Sequence, residues 1–318
     1  MVFDGRSTAM QVAAAADLHD KLALVTGATS GIGVETARAL AAAGADLILP
    51  VRRVDAGEAL AAEIRSEFGR KVLVEAMDLA DFRSVADAAA RIGERISALD
   101  LLIANAGVSK TPETHQADGV DVRFASNHLG HFLLSWKLRP QMAVRGARIV
   151  VVSSAAHKQR PIKLADLAWR SRPHDIFQAY GESKTANILF VMEATKRWSS
   201  DGIFANAVLP GTIMTGLQRF HEPDQMRSIG FIQADGEVNP AVRSIEQGAA
   251  TTVWGATAPE LAGRGGLVLE NCGVALTVGP DTHPWQGFNP AVADPNDAAR
   301  LWESSLEMVA PYLGSSIQ

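Results

Sequence analysis

Short, almost wholly apolar runs alternate with segments of helical period along most of this chain, and no other feature constrains its fold as tightly. The runs are KLALVTG (21–27), ADLILPV (45–51), KVLVEAM (71–77), LDLLIANAG (99–107), ARIVVVSS (147–154) and IFANAVLPG (203–211). Between the first four lie GVETARALAAAG, GEALAAEIRSEF and FRSVADAAARIGERI, and longer helical segments follow. Strands that are apolar along their whole length must be covered on both faces, and intervening helices supply that cover when the sheet is parallel. Right-handed crossovers then give an α/β, doubly wound sheet. A weaker run, GGLVLE (265–270), adds an edge, for about seven strands in all. With 318 residues and 47% hydrophobic content the chain can bury one full core. No linker, repeat or low-complexity tract divides it, so a single domain over 1–318 is expected. Residues 1–18 form an N-terminal extension with a short helix, and the last fifty residues read as loops closed by one helix, DAARLWESSLEMV.

Several function classes drop out on composition. A formal net charge of -5 and the absence of any basic block argue against a nucleic-acid surface. No apolar stretch approaches the roughly 18 residues of a membrane span. The N-terminus, MVFDGRSTAMQVAAAADLHDK, carries acids at both ends of a short apolar centre and does not read as a signal peptide, so a cytoplasmic protein is expected. Cys272 is the only cysteine, which rules out an intrachain disulfide. Nothing in the sequence decides whether the chain forms a homo-oligomer.

TGATSGIG (26–33) follows the first strand and opens a helix. Gly27 permits a tight turn, and Gly31 and Gly33 let the backbone approach a pyrophosphate. The helix start aims unpaired N–H groups and its positive dipole end at that anion. Three glycines between strand and helix favour a dinucleotide, although the spacing is G-x-x-x-G-x-G rather than G-x-G-x-x-G. The second strand ends PVRR, with Arg52 and Arg53 where an acid would hold a ribose 2′-hydroxyl. Arginine there accepts a 2′-phosphate, which favours NADP over NAD; Asp55, close by, keeps NAD use open.

YGESK places Tyr180 and Lys184 four residues apart, on one face of a helix. A phenol of pKa about 10 is a poor base at neutral pH, and a nearby ammonium lowers that value. The pair is therefore a candidate acid–base group. His128 and His131, three apart, could share a helix face and suggest a metal. No third ligand stands at useful spacing, so packing is expected and no metal is assigned. The six tryptophans are expected in core or surface roles.

These motifs, in this order, resemble the short-chain dehydrogenase/reductase family over about residues 15–310. TGATSGIG is similar to its cofactor loop, ANAG (104–107) to its adenine-side motif, YGESK to its active-site helix and PGTIMT (210–215) to its P-G-x-x-x-T stretch. NHLGHFLL, VVSSAAHK and YGESKTANILF resemble its retinol-dehydrogenase and protochlorophyllide-reductase-like branch, without the membrane anchor many retinol dehydrogenases carry. The resemblance implies hydride transfer between nicotinamide and an alcohol or carbonyl carbon. It implies that Tyr180 is the acid–base group, that Lys184 tunes it and holds the nicotinamide ribose, and that a serine holds the substrate oxygen. Ser153 and Ser154 compete for that last role, and the family pattern selects Ser154. Asn127 matches an asparagine that supports a proton-relaying water, with helix packing as the alternative. Cofactor contacts carry over to Gly27, Thr29, Ser30, Gly31, Ile32, Gly33, Arg52, Arg53, Asp78, Leu79, Asn105, Ala106, Gly107, Tyr180, Lys184, Pro210, Gly211, Ile213 and Thr215. For Asp78, a helix N-cap is the other reading.

Two departures stand out. Ala104 replaces a frequent asparagine before Asn105, and the interval from Ser154 to Tyr180 is long. That insertion, 155–179, and the stretch 212–243 are expected to rim the substrate pocket, with Leu164, Leu167, Trp169, Phe177, Phe220 and Phe231 among their apolar side chains. The expected substrate is bulky and apolar. Two other functions remain open on this fold: a carbon–carbon double-bond reductase, or a non-catalytic NADP-binding regulator.

Overall fold

A computed structural model describes residues 2–112, 114–116 and 118–314. Its strands are β1 (Leu22–Val25), β2 (Asp46–Val51), β3 (Val72–Ala76), β4 (Leu101–Ala104), β5 (Ala147–Val152), β6 (Ile203–Leu209), β7 (Val268–Glu270) and β8 (Gly273–Val274). They form one sheet in the order β3-β2-β1-β4-β5-β6-β7-β8, parallel except for the last pair. The seven apolar runs are thus all strands. The eighth is a two-residue hairpin return, too short to leave a period in the sequence, and it corrects the expected number.

The helices are α1 (Ala9–Ala13), α2 (Ile32–Ala42), α3 (Val54–Phe68), α4 (Phe82–Arg95), α5 (Val122–Phe124), α6 (Gly130–Ala143), α7 (Ile176–Trp198), α8 (Pro223–Ser228), α9 (Ile245–Thr257) and α10 (Pro295–Val309). A π-helical turn, Ala125–Leu129, joins α5 to α6. Their starts are written in the sequence. Asp81, Asp175 and Asp294 cap α4, α7 and α10 by accepting first-turn backbone N–H groups. Gly69, at φ 65°, ends α3 in the left-handed conformation that glycine adopts without strain.

Two apolar layers flank the sheet. Leu24, Leu102, Ile149 and Val151 face one layer, shared with Phe82, Phe132, Phe190 and Trp302 of the α4, α6, α7 and α10 side. Their neighbours Ala23, Val25, Leu101, Ile103 and Val150 face the other, with Leu40, Ile64 and Val253 of α2, α3 and α9. This alternation follows from the two-residue period of a strand. The N-terminal extension is tucked in as well: Ala9, Val12 and Leu18 belong to the second layer. Trp136, Trp198 and Trp302 pack edge-on or tilted within about 6.5 Å of one another.

At the β3 edge, Arg65 Nη2 donates to Val72 O at 2.7 Å and Arg91 Nη2 to Ala76 O at 3.3 Å. Among the described residues no helix is long and apolar enough to cross a membrane. Strand order reverses between β1 and β4, so the crevice at their carboxyl ends is where a ligand of such a sheet collects.

Candidate active site

Each wall of that crevice is made by a turn leaving a strand. After β1, Gly27 and Gly31 hold φ of 68° and 57°. A Cβ on Gly33 would stand 2.2 Å from Gly27 O, and one on Gly27 would stand 2.8 Å from Ala106 Cα. Only glycines let this loop close, and the concavity they leave suits a pyrophosphate. Gly31 is the N-cap of α2 and offers no side-chain cap, so the first N–H groups of the helix stay available to an anion. Thr29 is half-buried beside it, Ser30 is exposed, and Ile32 is the first residue of α2.

After β4, Asn105 Nδ2 donates to Thr26 O at 2.9 Å, while the backbone N–H groups of Asn105 and Ala106 both reach Thr26 Oγ1 at 3.0 Å. The Asn105 carboxamide oxygen is buried without a hydrogen-bond partner among the described residues. Ala104, where the family often has asparagine, is fully buried in β4. Behind β6, Pro210 and Gly211 turn the chain, Ile213 is buried, and the Thr215 side chain comes within 3.3 Å of where a Gly31 Cβ would be. The two turns thus face each other across the nucleotide crevice.

Arg52 and Arg53 are exposed at the end of β2, and neither side chain makes a hydrogen bond or ion pair with the described residues. Asp55 is exposed in the first turn of α3. Asp78 does not cap a helix: Asp81 does, and Asp78 Oδ1 instead accepts Ala80 N at 2.9 Å in a tight turn. The N-cap lies three residues further on because the chain needs that turn to leave β3. Leu79 is buried, its carbonyl against Gly130 of α6.

The candidate acid–base group lies where β5 meets α7. Ser153 Oγ donates to Lys184 O at 2.7 Å and is spent on the backbone. Ser154 Oγ accepts Ala156 N at 3.2 Å and lies beside the Tyr180 phenol, whose ionised form it favours. Of the two serines, Ser154 is therefore the one that faces the tyrosine. Lys184 is 3% exposed, donates to Val152 O at 2.9 Å, and lies 5.7 Å from the centre of the Tyr180 ring.

Burial governs both pKa values. It pulls Lys184 down to about 8 and pushes the Tyr180 phenol up, the Ser154 hydrogen bond opposing that rise. The expected depression of Tyr180 by the Lys184 charge is not found. The ammonium is turned onto the β5 carbonyl, and burial of the phenol dominates its pKa. One carbonyl leaves two of its N–H bonds to hold ribose hydroxyls.

Asn127, fully buried in the π-helical turn, accepts Val108 N at 2.8 Å and donates to Val108 O at 3.0 Å and Ser183 Oγ at 2.9 Å. His128 and His131 point to different partners, Ser305 Oγ and Thr26 Oγ1, both at 2.8 Å. Each is engaged in packing and hydrogen bonding. Among the described residues no group of three metal-ligating side chains gathers.

The two expected rim segments meet over this site. Phe177 lies 5.9 Å from His221 between ring centres, and Lys110 Nζ reaches Gln225 Oε1 of α8 at 3.2 Å. Leu167 and Trp169 are buried, and Leu164 packs on the sheet-facing core, so part of the insertion serves the core rather than a pocket. Phe177 and Phe220 stay open to solvent at 38% and 39%.

A third segment, 276–291, went unrecognised in the sequence. Lys158 Nζ donates to His283 O and Gln286 O, and Asn289 N donates to His157 Nε2 at 3.2 Å. Trp285 packs against Gly230 and within 6.1 Å of the Phe231 ring. Glu270, at the carboxyl end of β7, accepts Gly287 N at 2.9 Å. The signal available was aromatic: Trp285 and Phe288 sit in a Gly/Pro-rich stretch that cannot bury them by itself.

Comparison with known proteins agrees with this arrangement. Residues 21–226 match the family model described as short chain dehydrogenase. A "Probable oxidoreductase" of Streptomyces lividans is 42% identical over 291 residues, covering 90% of this chain and 97% of that one. The "Short-chain dehydrogenase/reductase prx1" of Penicillium roqueforti is 35% identical, covering 96% and 91%. An uncharacterized protein from Mycobacterium paratuberculosis superposes with a TM-score of 0.70 at 30% identity, covering 94% of this chain and 97% of its own. A short chain dehydrogenase from Burkholderia cenocepacia solved in complex with NADP gives 0.62 at 26%, covering 80% and 98%.

Proposed function

Since this chain belongs to the short-chain dehydrogenase family of NAD(P)-dependent oxidoreductases, we propose that it uses NADP to interconvert a bulky, apolar secondary alcohol and its ketone. The observation that carries this reading is the meeting of Ser154 and Tyr180 beside the buried Lys184, with Ser153 diverted to the backbone. Ser154 donates to the substrate oxygen and fixes the carbonyl. When bound, the nicotinamide supplies the hydride for reduction and accepts it in oxidation. In reduction Tyr180 Oη gives its proton to the substrate oxygen as the carbon gains the hydride; in oxidation it takes that proton back. Lys184 holds the ribose hydroxyls and carries the charge that favours the phenolate once Tyr180 has given up its proton. Asn127 holds the 108 turn and α7 together around these groups.

Exposed, unpaired Arg52 and Arg53 support NADP as the nucleotide, and an NADP complex among the structural neighbours agrees with it. Half-open Phe177 and Phe220, on the two segments expected to rim the substrate site, support an apolar substrate. The test is a panel of ketones, aldehydes and alcohols with NADPH and NADH, followed by nicotinamide absorbance, alongside Tyr180→Phe. The variant keeps its fold and its NADPH affinity while kcat falls by about 10²-fold or more. Near-normal turnover in Tyr180→Phe removes the tyrosine from the mechanism.

A further inference from the structure

The Thr26 hydroxyl has one proton and two lone pairs to share among four neighbours. Asn105 N and Ala106 N, both at 3.0 Å, can only donate to it, Asn105 N sharing its proton with Ile103 O, also at 3.0 Å. The hydroxyl proton has His131 Nε2 at 2.8 Å and Ile103 O at 3.3 Å to choose between, and the shorter contact takes it. His131 Nδ1 lies 3.1 Å from Asn127 O, a carbonyl that can only accept, so the ring carries its hydrogen on Nδ1 and Nε2 accepts from Thr26.

Beyond Asn127 the path continues. Its carboxamide donates to Ser183 Oγ at 2.9 Å, and Ser183 Oγ donates to Tyr180 O at 2.7 Å. Every donor in the path has an acceptor, and Thr26, His131, Asn127 and Ser183 are all at most 2% exposed. The ring is buried beside His128 and the Lys184 ammonium, and both surroundings and burial hold it neutral.

We propose that His131 is a positioning residue for hydride transfer: in its Nδ1–H form it ties the two nucleotide-binding turns, through Thr26, to Asn127 and the catalytic helix. This rests on the oxidoreductase reading above for its kinetic consequence, but not for its hydrogen-bond pattern. The π-helical turn at Ala125–Leu129 places His131 four residues after Asn127 with its ring against that residue's carbonyl, a contact made by a side chain rather than by the helix ladder. Loss of the link leaves each turn formed and lets them shift relative to each other.

The first test needs no substrate. In ¹⁵N-histidine-labelled protein, with the His131 signals identified by their loss in His131→Asn, the ring nitrogens report the proton on Nδ1 alone, unchanged between about pH 6 and 8. A proton on Nε2, or a charged ring at neutral pH, overturns the proposal. The second compares His131→Phe, which can neither accept nor donate, with His131→Asn, whose amide still donates to Asn127 O. With NADPH and acetophenone, His131→Phe lowers kcat about 10–100-fold while the KM for acetophenone stays within about twofold, as expected for misplacement of reacting groups. His131→Asn recovers part of that loss. NADPH affinity, from quenching of protein fluorescence, falls severalfold in His131→Phe, as the loss of one hydrogen bond implies. Wild-type kcat and NADPH affinity in His131→Phe, or equal damage in both variants, overturn the proposal. A wild-type protein inert toward acetophenone would count against the proposed substrate class, and the tautomer and NADPH affinity would still decide the role of His131.

Discussion

Two side chains carry opposite demands on the same chemistry. Arg52 stands in solvent with nothing to neutralise it, which costs little and leaves it ready for a phosphate. Replacing it by Ala removes a charge-assisted hydrogen bond that NADPH uses and NADH does not. NADPH affinity should fall roughly ten- to a hundredfold and NADH affinity hardly at all. Equal losses for both nucleotides, measured by titration, would assign Arg52 a structural role. Lys184 is the reverse case, a charge kept where burial opposes it. Its pKa falls from 10.5 to about 8 on folding, a cost on the order of 3 kcal/mol when the group is charged. The sign follows: the penalty is full below pH 8, shrinks as the pH rises, and vanishes above the unfolded value. Lys184→Met, without nucleotide, should therefore raise Tm at pH 6–7, and that advantage should close by about pH 10.5. The loss of the Val152 hydrogen bond trims the gain by about 1 kcal/mol. Calorimetry over this range checks it, and a variant less stable at every pH would contradict the assignment of strain to the ammonium.

Among the elements, the turns were easier to read than the segments that cross over them. TGATSGIG and ANAG could be read because a turn's demand for glycine is local. The three long segments over the strand ends differ, since their places depend on which strand end they fold back over. Of the two expected at the substrate rim, 155–179 gives part of its apolar side chains to the core, a division set by the α10 side of the sheet that periodicity cannot see. The third, 276–291, is held by bonds from Lys158 and Glu270 more than a dozen residues away. If Trp285 closes the pocket, kcat/KM along a homologous series of methyl ketones should rise severalfold per carbon, at about 0.8 kcal/mol per buried methylene, until the indole is met. Trp285→Ala should move that maximum to longer ketones. A flat series in the wild-type protein, or an unmoved maximum in the variant, would place the indole outside the pocket.

For the molecule as a whole, the sheet and its order of elements were legible because most of the seven strands are buried on both faces and are therefore mainly apolar. The candidate acid–base pair, Tyr180 and Lys184, was legible because residues four apart on a helix share a face. What could not be read is joined across distance: His131 meets Thr26 over 105 positions of chain. An Nδ1–H imidazole leaves no more mark in the sequence than a packing histidine. The residues alone left Ser153 and Ser154 open, and only the family resemblance selected Ser154, since the fate of each hydroxyl depends on where α7 crosses β5.

The arginines at the outer strand have a bearing on how copies of this protein behave in company. An open parallel sheet has two rims of unsatisfied peptide groups, and each invites a neighbour's strand. Here one rim ends in the two residues of β8, too short to template another chain. At the other, Arg65 and Arg91 occupy carbonyls of β3 with their own guanidinium groups. Crowding should therefore not zip these sheets together. Arg65→Ala, which frees the Val72 carbonyl while touching nothing in the crevice, should keep wild-type turnover yet scatter light increasingly with concentration on prolonged incubation. A solution that stays clear would show that brevity and charge elsewhere suffice to keep the molecules apart.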